Sequence, residues 1–353
     1  MLTKKFYSTK EMISWTRKEV FFYFIFMVVL TGLYVLFDLT HIRVPWTPVA
    51  LIGTAVAFII GFQNSAAYGR IWEARKIWGG IVNSSRTWTM KIMDMVTNEY
   101  SPNPITEEEL AKVKKILIYR HIAWLTSLRY AMRQTKKWEV FNEHKTNREW
   151  SSKAHIPERM TSWDDAIKEY ISEDEKIKIA AKGNKCTALL FLQSKNLRKL
   201  KEQGLIWEFS FLELENLLQE LFTLQGKSER IKNFPYPRQY ATLGHLFVHV
   251  FIFLLPFGLI PAFDDIGLNM ATVYPTLGTN FIWMGIPFCT AVAWVFHTME
   301  RIGRVGENPF EGSANDVPIS TIARGIEIDI RQMLDEGENT IPKQFPEIYD
   351  VQM

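Results

Sequence analysis

His245 and His249 stand four residues apart. On a helix that spacing sends both imidazoles to one face, where they could hold a haem or a metal ion. No carboxylate or cysteine follows at ligand spacing, so the simpler reading has one ring bonded to a neighbouring helix and the other near the membrane interface. Glu300, Arg301, Arg304 and Glu307 form a second cluster, read as a solvated helix end with local ion pairs rather than an active constellation. Cys186 and Cys289 are far apart, with no CxxC, which excludes a disulfide scaffold and a cysteine-rich zinc module. The chain has no GxGxxG, Walker loop, GxSxG or HExxH. The expectation is a protein that is not an enzyme, with no cofactor and no metal. A third pattern is apolar: Thr54, Phe58 and Phe62 repeat every four residues, and Gly61 lies beside the last ring. Turned towards a common axis by several subunits, such a stripe would make a narrow collar.

The elements that must carry these residues are membrane spans. Lys and Arg number 41 against 38 Asp and Glu, a net charge of +3, so the basic excess of a nucleic-acid binder is missing. The unusual quantity is aromatic content, 14%, within a chain that is 47% hydrophobic. Mean hydropathy is only −0.06 because the chain is segregated. Residues 20–37 carry no charge over about 18 positions, the minimum for crossing some 30 Å of hydrocarbon at 1.5 Å per residue. Residues 48–69 are a second uncharged run. Residues 239–263 are a third, interrupted only by His245 and His249, and residues 266–299 a fourth, with His297 near its end. Four spans in two pairs imply an all-α integral membrane protein in a lipid bilayer. The first run is too long for a signal-peptide core and no small-x-small site follows it, so it is expected to remain as an anchor.

Charge sets the orientation. Lys4, Lys5, Lys10, Arg17 and Lys18 precede the first span, Arg43 alone lies between the first two, and the connection around Asp264 and Asp265 has no base. Positive residues stay inside, which places both termini and the middle segment in the cytoplasm. The expected division is a cytosolic start over 1–19, spans over 20–69, a cytosolic helical domain over 70–238, spans over 239–299, and a C-terminal helix and tail over 300–353.

The middle segment reads as helical. Thr106 with Glu109 is a capping box leading into Leu110, Val113, Ile116, Leu117 and Ile122, and Ser172 with Glu175 and Ser210 with Glu213 repeat the device. Leu214, Leu217, Leu218, Leu221 and Leu224 make one apolar stripe. Strict alternation is short everywhere, so strands are not expected. Residues 136–157 read as a loop, and those after Leu334 as a loosely ordered tail.

The string Gly61-Phe62-Gln63-Asn64-Ser65, then Arg70-x-Trp72-Glu73-Ala74-Arg75-x-x-Trp78-Gly79 and Asn83-x-Ser85-Arg86, resembles the bestrophin family, in its prokaryotic branch. Later landmarks come in family order: Glu202-Gln203-Gly204-Leu205-Ile206, Asn233-Phe234-Pro235-Tyr236-Pro237, the run from Leu254 to Leu259, and Glu307-Asn308-Pro309-Phe310 with Asn315-Asp316. The resemblance spans nearly the whole chain. It implies a homopentameric ion channel whose permeant species are inorganic ions, with a transmembrane neck at Thr54, Phe58 and Phe62 and a cytosolic aperture at Ile206.

Two departures bear on the pore. Thr54 stands where an aliphatic residue is usual, and Gln63 where many bacterial members carry Arg, which implies loss of a positive ring just inside the neck. The stretch from Glu311 to Asp316 is also less acidic than the calcium clasp of animal members, with Ser313 in place of one carboxylate, so no calcium site is expected. The function implied is anion conduction, of chloride, gated by dewetting at the phenylalanine rings. Aromatic edges are weakly positive and favour anions modestly. A cation-selective pore of the same fold stays open as an alternative. So do a membrane haem or metal protein built on His245 and His249, and a scaffold that binds a partner through its cytosolic helices.

Overall fold

A computed structural model describes residues 1–353, with the side chain of Asn142 excepted. Helix α1, Thr9–Leu36, opens with a capping box: Ser8 accepts from the Glu11 N–H, and the Glu11 carboxylate accepts from the Ser8 N–H at 2.7 Å. Helix α2, Trp46–Met95, is one unbroken rod of 50 residues, about 75 Å long at 1.5 Å per residue. That is more than twice the hydrocarbon thickness, so the helix does not stop at Gly69. The same rod that crosses the membrane becomes the spine of the helical region outside the spans.

Helix α3, Glu107–Arg133, starts at the expected Thr106 box. Leu110, Leu117 and Ile122 are buried as expected, whereas Ile116 faces outward. A 3-10 turn over Phe141–Glu143 and helix α4, Lys145–Ser151, occupy the stretch expected to be loop. They are anchored because Asn147 donates to the Phe141 carbonyl at 2.8 Å and accepts from Trp15 and Arg301. Short helices α5, Pro157–Met160, α6, Trp163–Ile167, and α7, Glu173–Ala180, lead to α8, Lys185–Glu202, and α9, Glu208–Asn233. Ser172 does cap α7. Ser210 caps nothing, because α9 already begins at Glu208. The five leucines of the α9 stripe are all buried, in a core with Trp78 and Trp88 of α2 and Trp124 of α3. Trp124 there donates to Gln225 at 2.9 Å, so its indole N–H is satisfied inside the core.

Helix α10, Arg238–Ala271, returns into the membrane region and contains Pro256 and Pro261. It does not end at Phe263. Asp264 and Asp265 therefore lie within a helix, and the turn comes at 272–274, before α11, Pro275–Asn280, a 3-10 turn, Phe281–Met284, and α12, Gly285–Gly306. Four helical stretches are long and apolar enough to cross a membrane: α1, the first part of α2, the part of Glu208–Ala271 belonging to α10, and Phe281–Gly306. A membrane core of Met27, Val56, Val248, Phe251, Leu255 and Cys289 ties them together. Small residues permit this close packing. A β-carbon on Gly53 would stand 2.7 Å from the Phe251 ring, and one on Gly244 3.3 Å from Gln63 Oε1.

Helix α13, Ile319–Met333, lies against α2 and α3, held in part by Arg86 on Asp329 at 2.6 Å. The last residues are not a loose tail. Thr3 N donates to the Asp350 carbonyl at 2.8 Å, and Val351 and Met353 are buried with Leu2 and Ile156. Leu2, Val351 and Met353 supply the apolar surface that holds the two chain ends together.

Candidate pore lining

Thr54, Phe58 and Phe62 share one face of α2 because each step of four residues advances 400°, a drift of only about 40°. The face is an open groove whose floor includes Ala57 and Gly61 and whose flank includes Phe251 and Phe296. Phe58 is 66% exposed and Phe62 73%, in a helix whose opposite face carries the buried Val49, Val56 and Ile60. Thr54 Oγ1 donates to the Ala50 carbonyl at 3.0 Å, so its hydroxyl is satisfied by its own helix and it presents a methyl group.

Gln63 does not belong to that face. It is 3% exposed, packed between α10 and α12 against Gly244 and Gly303, with Nε2 3.4 Å from Glu307. One residue is 100° of helical rotation, which turns position 63 away from the groove while Phe62 lines it. The exchange of Arg for Gln therefore falls in a helix contact, and the expected loss of a positive ring is corrected.

Ile206 is 2% exposed and lies with Leu205 in the core of the helical region outside the spans, its backbone bridged to Val96. Gly204, at φ +73°, makes the break before it. A side chain so placed packs its own protomer. The exposed neighbours are Trp207, stacked on Tyr100, and Phe209.

The family-motif residues hold α2 to the ends of later helices and to the chain start. Arg70 donates to the carbonyls of Glu307, Ile231 and Phe234 at 2.6, 2.8 and 3.0 Å, joining α2 to the ends of α12 and α9. Glu73 pairs with Arg230, and Trp72 stacks on Tyr68. Arg75 reaches the Met1 sulfur at 3.5 Å. Trp78 is fully buried, 6.5 Å from the Phe310 ring. Asn308 is buried at the same junction, and Pro309 O accepts from Val317 N at 3.1 Å. Asp316 is buried, and its carboxylate accepts from the N–H groups of Gly312 and Ser313 at 2.7 and 3.0 Å and from the Ser313 hydroxyl. Burial raises the pKa of Asp316, opposed by Ser313 and by Arg133. Burial, then the nearby charges of Glu139 and Asp316, push Glu311 up to about 8.

The end of α12 is not solvated, as its charge pattern suggested. Glu300 and Arg301 are fully buried. Arg301 donates to Trp15 O and Glu19 at 3.1 Å each, to Thr146 at 2.6 Å and to Asn147 at 2.8 Å. Glu300 meets His245 at 3.0 Å and Arg304 at 2.8 Å. These contacts nail α1, α4, α10 and α12 together where the spans meet the helical region outside the membrane. Sequence spacing exposed the charges but not their partners, which come from helices distant in the chain.

His245 thus bonds a neighbouring helix, and His249 Nδ1 lies 2.8 Å from the His245 carbonyl. Among the described residues no group of three His, Cys, Asp or Glu is placed to hold a metal. His297 joins the same region through Tyr23, whose hydroxyl lies 2.9 Å from its Nδ1. At the other end of the spans Arg43 pairs with Asp264 at 3.1 Å and Asp265 at 2.7 Å, so the α1–α2 connection and the far part of α10 lie at one end of the bundle.

Residues 4–332 match the family described as Bacterial/Fungal Bestrophin protein. The voltage-dependent anion channel-forming protein YneE of Escherichia coli strain K12 is 25% identical over 302 residues, covering 85% of this chain and 81% of that protein. A voltage-dependent anion channel-forming protein of Ralstonia nicotianae is 26% identical over the same shares. The crystal structure of a bacterial bestrophin homologue from Klebsiella pneumoniae superimposes with a TM-score of 0.71 at 20% identity, covering 90% of this chain and 98% of that one.

Proposed function

Because the chain belongs to the bacterial and fungal bestrophin family, we propose that it is an anion-conducting channel, with chloride as its permeant ion and a gate at the neck formed by Thr54, Phe58 and Phe62. The observation that carries this reading is the Phe58 and Phe62 pair, left unpacked on the face of α2 opposite the buried Val49, Val56 and Ile60. The anion preference is supported by the activity for which the relatives of similar length are named. One copy of this stripe cannot enclose a path alone. Five copies around an axis would turn ten rings inward, at two levels, and make the narrowest apolar part of the route.

A narrow apolar ring stops ions by excluding water and passes them when it widens. Anions passing in partly dehydrated form gain modestly from the positive edges of the rings. The protein then sits in the bacterial inner (plasma) membrane with residues 20–69 and 239–299 in the bilayer. Both termini and residues 70–238 are cytoplasmic, following the excess of lysine and arginine before the first span.

Reversal potentials of the purified protein in planar bilayers under asymmetric potassium chloride test conduction and selectivity together. A potential near the chloride equilibrium value is expected. One near the potassium value would replace the anion reading with the cation-selective one, and the absence of any current would remove the channel reading.

A further inference from the structure

A cavity of about 400 Å³ opens in the cytosolic region between the last turn of α3, the start of α8, Trp163 of α6 and the end of α9. Its size is that of a small-molecule site rather than of one inorganic ion. Four cationic side chains line it, Arg133, Lys136, Lys185 and Lys232, against the carboxylates of Glu158 and Glu229. Both carboxylates already have partners. Glu158 is held by Arg129 and by the Ser320 hydroxyl, each at 2.7 Å, and Glu229 accepts from Asn184 and Gln225 at 2.9 Å. Lys232 is paired with Glu139.

The remaining cations have less. Among the described residues neither Lys136 nor Lys185 forms an ion pair, and the Lys185 ammonium sits 3.5 Å from the centre of the Trp163 ring. The Arg133 side chain is 2% exposed. Its Nη1 donates to the Phe310 carbonyl at 3.0 Å and its Nε stands 3.6 Å from Glu158, while Nη2 is buried with no partner. A buried guanidinium donor without an acceptor is costly, so the arrangement suits a ligand that brings one. Helix α8, 18 residues long, also begins here, and the positive end of its dipole adds to the same field.

We propose that this cavity is a binding site for a small multivalent anion carrying carboxylate or phosphate oxygens, anchored on Arg133, Lys136 and Lys185. Arginine offers such oxygens paired donors in a plane, and the two lysines add unpaired charge. The site stands apart from the neck and does not depend on what the pore conducts.

Calorimetric titration of the purified full-length protein with pyrophosphate and with citrate, at constant ionic strength set by sodium chloride, tests it and separates the two oxygen sources. At least one probe should bind saturably, and the Lys136→Gln/Lys185→Gln double variant, altered only at cavity-lining lysines with no ion partner, should weaken that binding at least about tenfold. The Arg133→Lys variant, which keeps the charge but loses the planar paired donors, should weaken it too. No saturable heat from either probe, or equal affinity in the double variant, would overturn the proposal. Neither result would alter the channel reading, which bilayer currents decide separately.

Discussion

Phe62 and Gln63 are consecutive on α2 and face opposite surroundings: the ring lies open on the groove, and the amide is buried 3.4 Å from Glu307 across the packing of α2 on α12. That buried contact helps fix the rotation of α2 and hence the direction of the phenylalanines.

Gln63→Ala should therefore cost stability, about 1–3 kcal/mol for the lost bond and the emptied space, while Glu307 stays paired with Arg238 at 3.0 Å. Thermal melting should fall, and the reversal potential should stay where it is. A shifted reversal potential with unchanged melting would return position 63 to the pore.

Ile206→Ala should behave as a core truncation, losing about 2–5 kcal/mol with little change in the relative permeability of ions of different size. The side chain is buried with Leu205 beside the Val96 bridge, so its removal empties space inside the protomer. Altered size selectivity at unchanged stability would instead support the aperture role that the family resemblance implies.

The buried loop after Asn308 predicts a pH dependence. Glu311 is raised from an ordinary 4.5 to about 8, chiefly by burial. The folded state thus holds a proton that the unfolded state has already released, and its contribution to stability is full below about 4.5 and lost as pH rises through about 8. Melting temperature should decline across that window, and Glu311→Gln should flatten the decline; an equal slope in the variant would contradict the assignment. Because Asp316 is bonded by its own loop, currents should also be unchanged when micromolar calcium is added or chelated.

The spans, the stripe of α9, the Thr106 box and the spacing of Thr54, Phe58 and Phe62 were legible because each is a local pattern with one period. What was not legible depends on partners remote in sequence. Arg301 reads as a surface charge until Trp15, Glu19, Thr146 and Asn147 surround it. Gln63 reads as a pore residue because it follows Phe62 of the expected neck, and only the packing of α10 and α12 shows which way it turns. The residues after Leu334 read as a loose tail because Val351 and Met353 are too few to make a periodic segment alone, yet with Leu2 they cover Ile156. The cavity beside Arg133 is assembled from five separate helices and has no signature in any of them.

The proposed orientation rests on Lys4, Lys5, Lys10, Arg17 and Lys18, which precede the first uncharged run. Membrane-impermeant thiol reagents applied outside should label single cysteines introduced at Thr40 or Leu268, both exposed near the Arg43–Asp265 end, and should miss those at Lys10, Lys145 and Glu338. Labelling at Lys145 would invert the arrangement.

The neck is the central claim, and single-channel recording of Phe58→Ala, Phe62→Ala and the double variant tests it most directly. Rings that face lipid could be removed with little consequence, whereas rings at an axis hold the path dry. The account predicts raised conductance or open probability in both single variants and more in the double, with Thr54→Ala doing less because its hydroxyl is already bonded to Ala50. Wild-type conductance and open probability in the double variant, with its assembly intact, would contradict it.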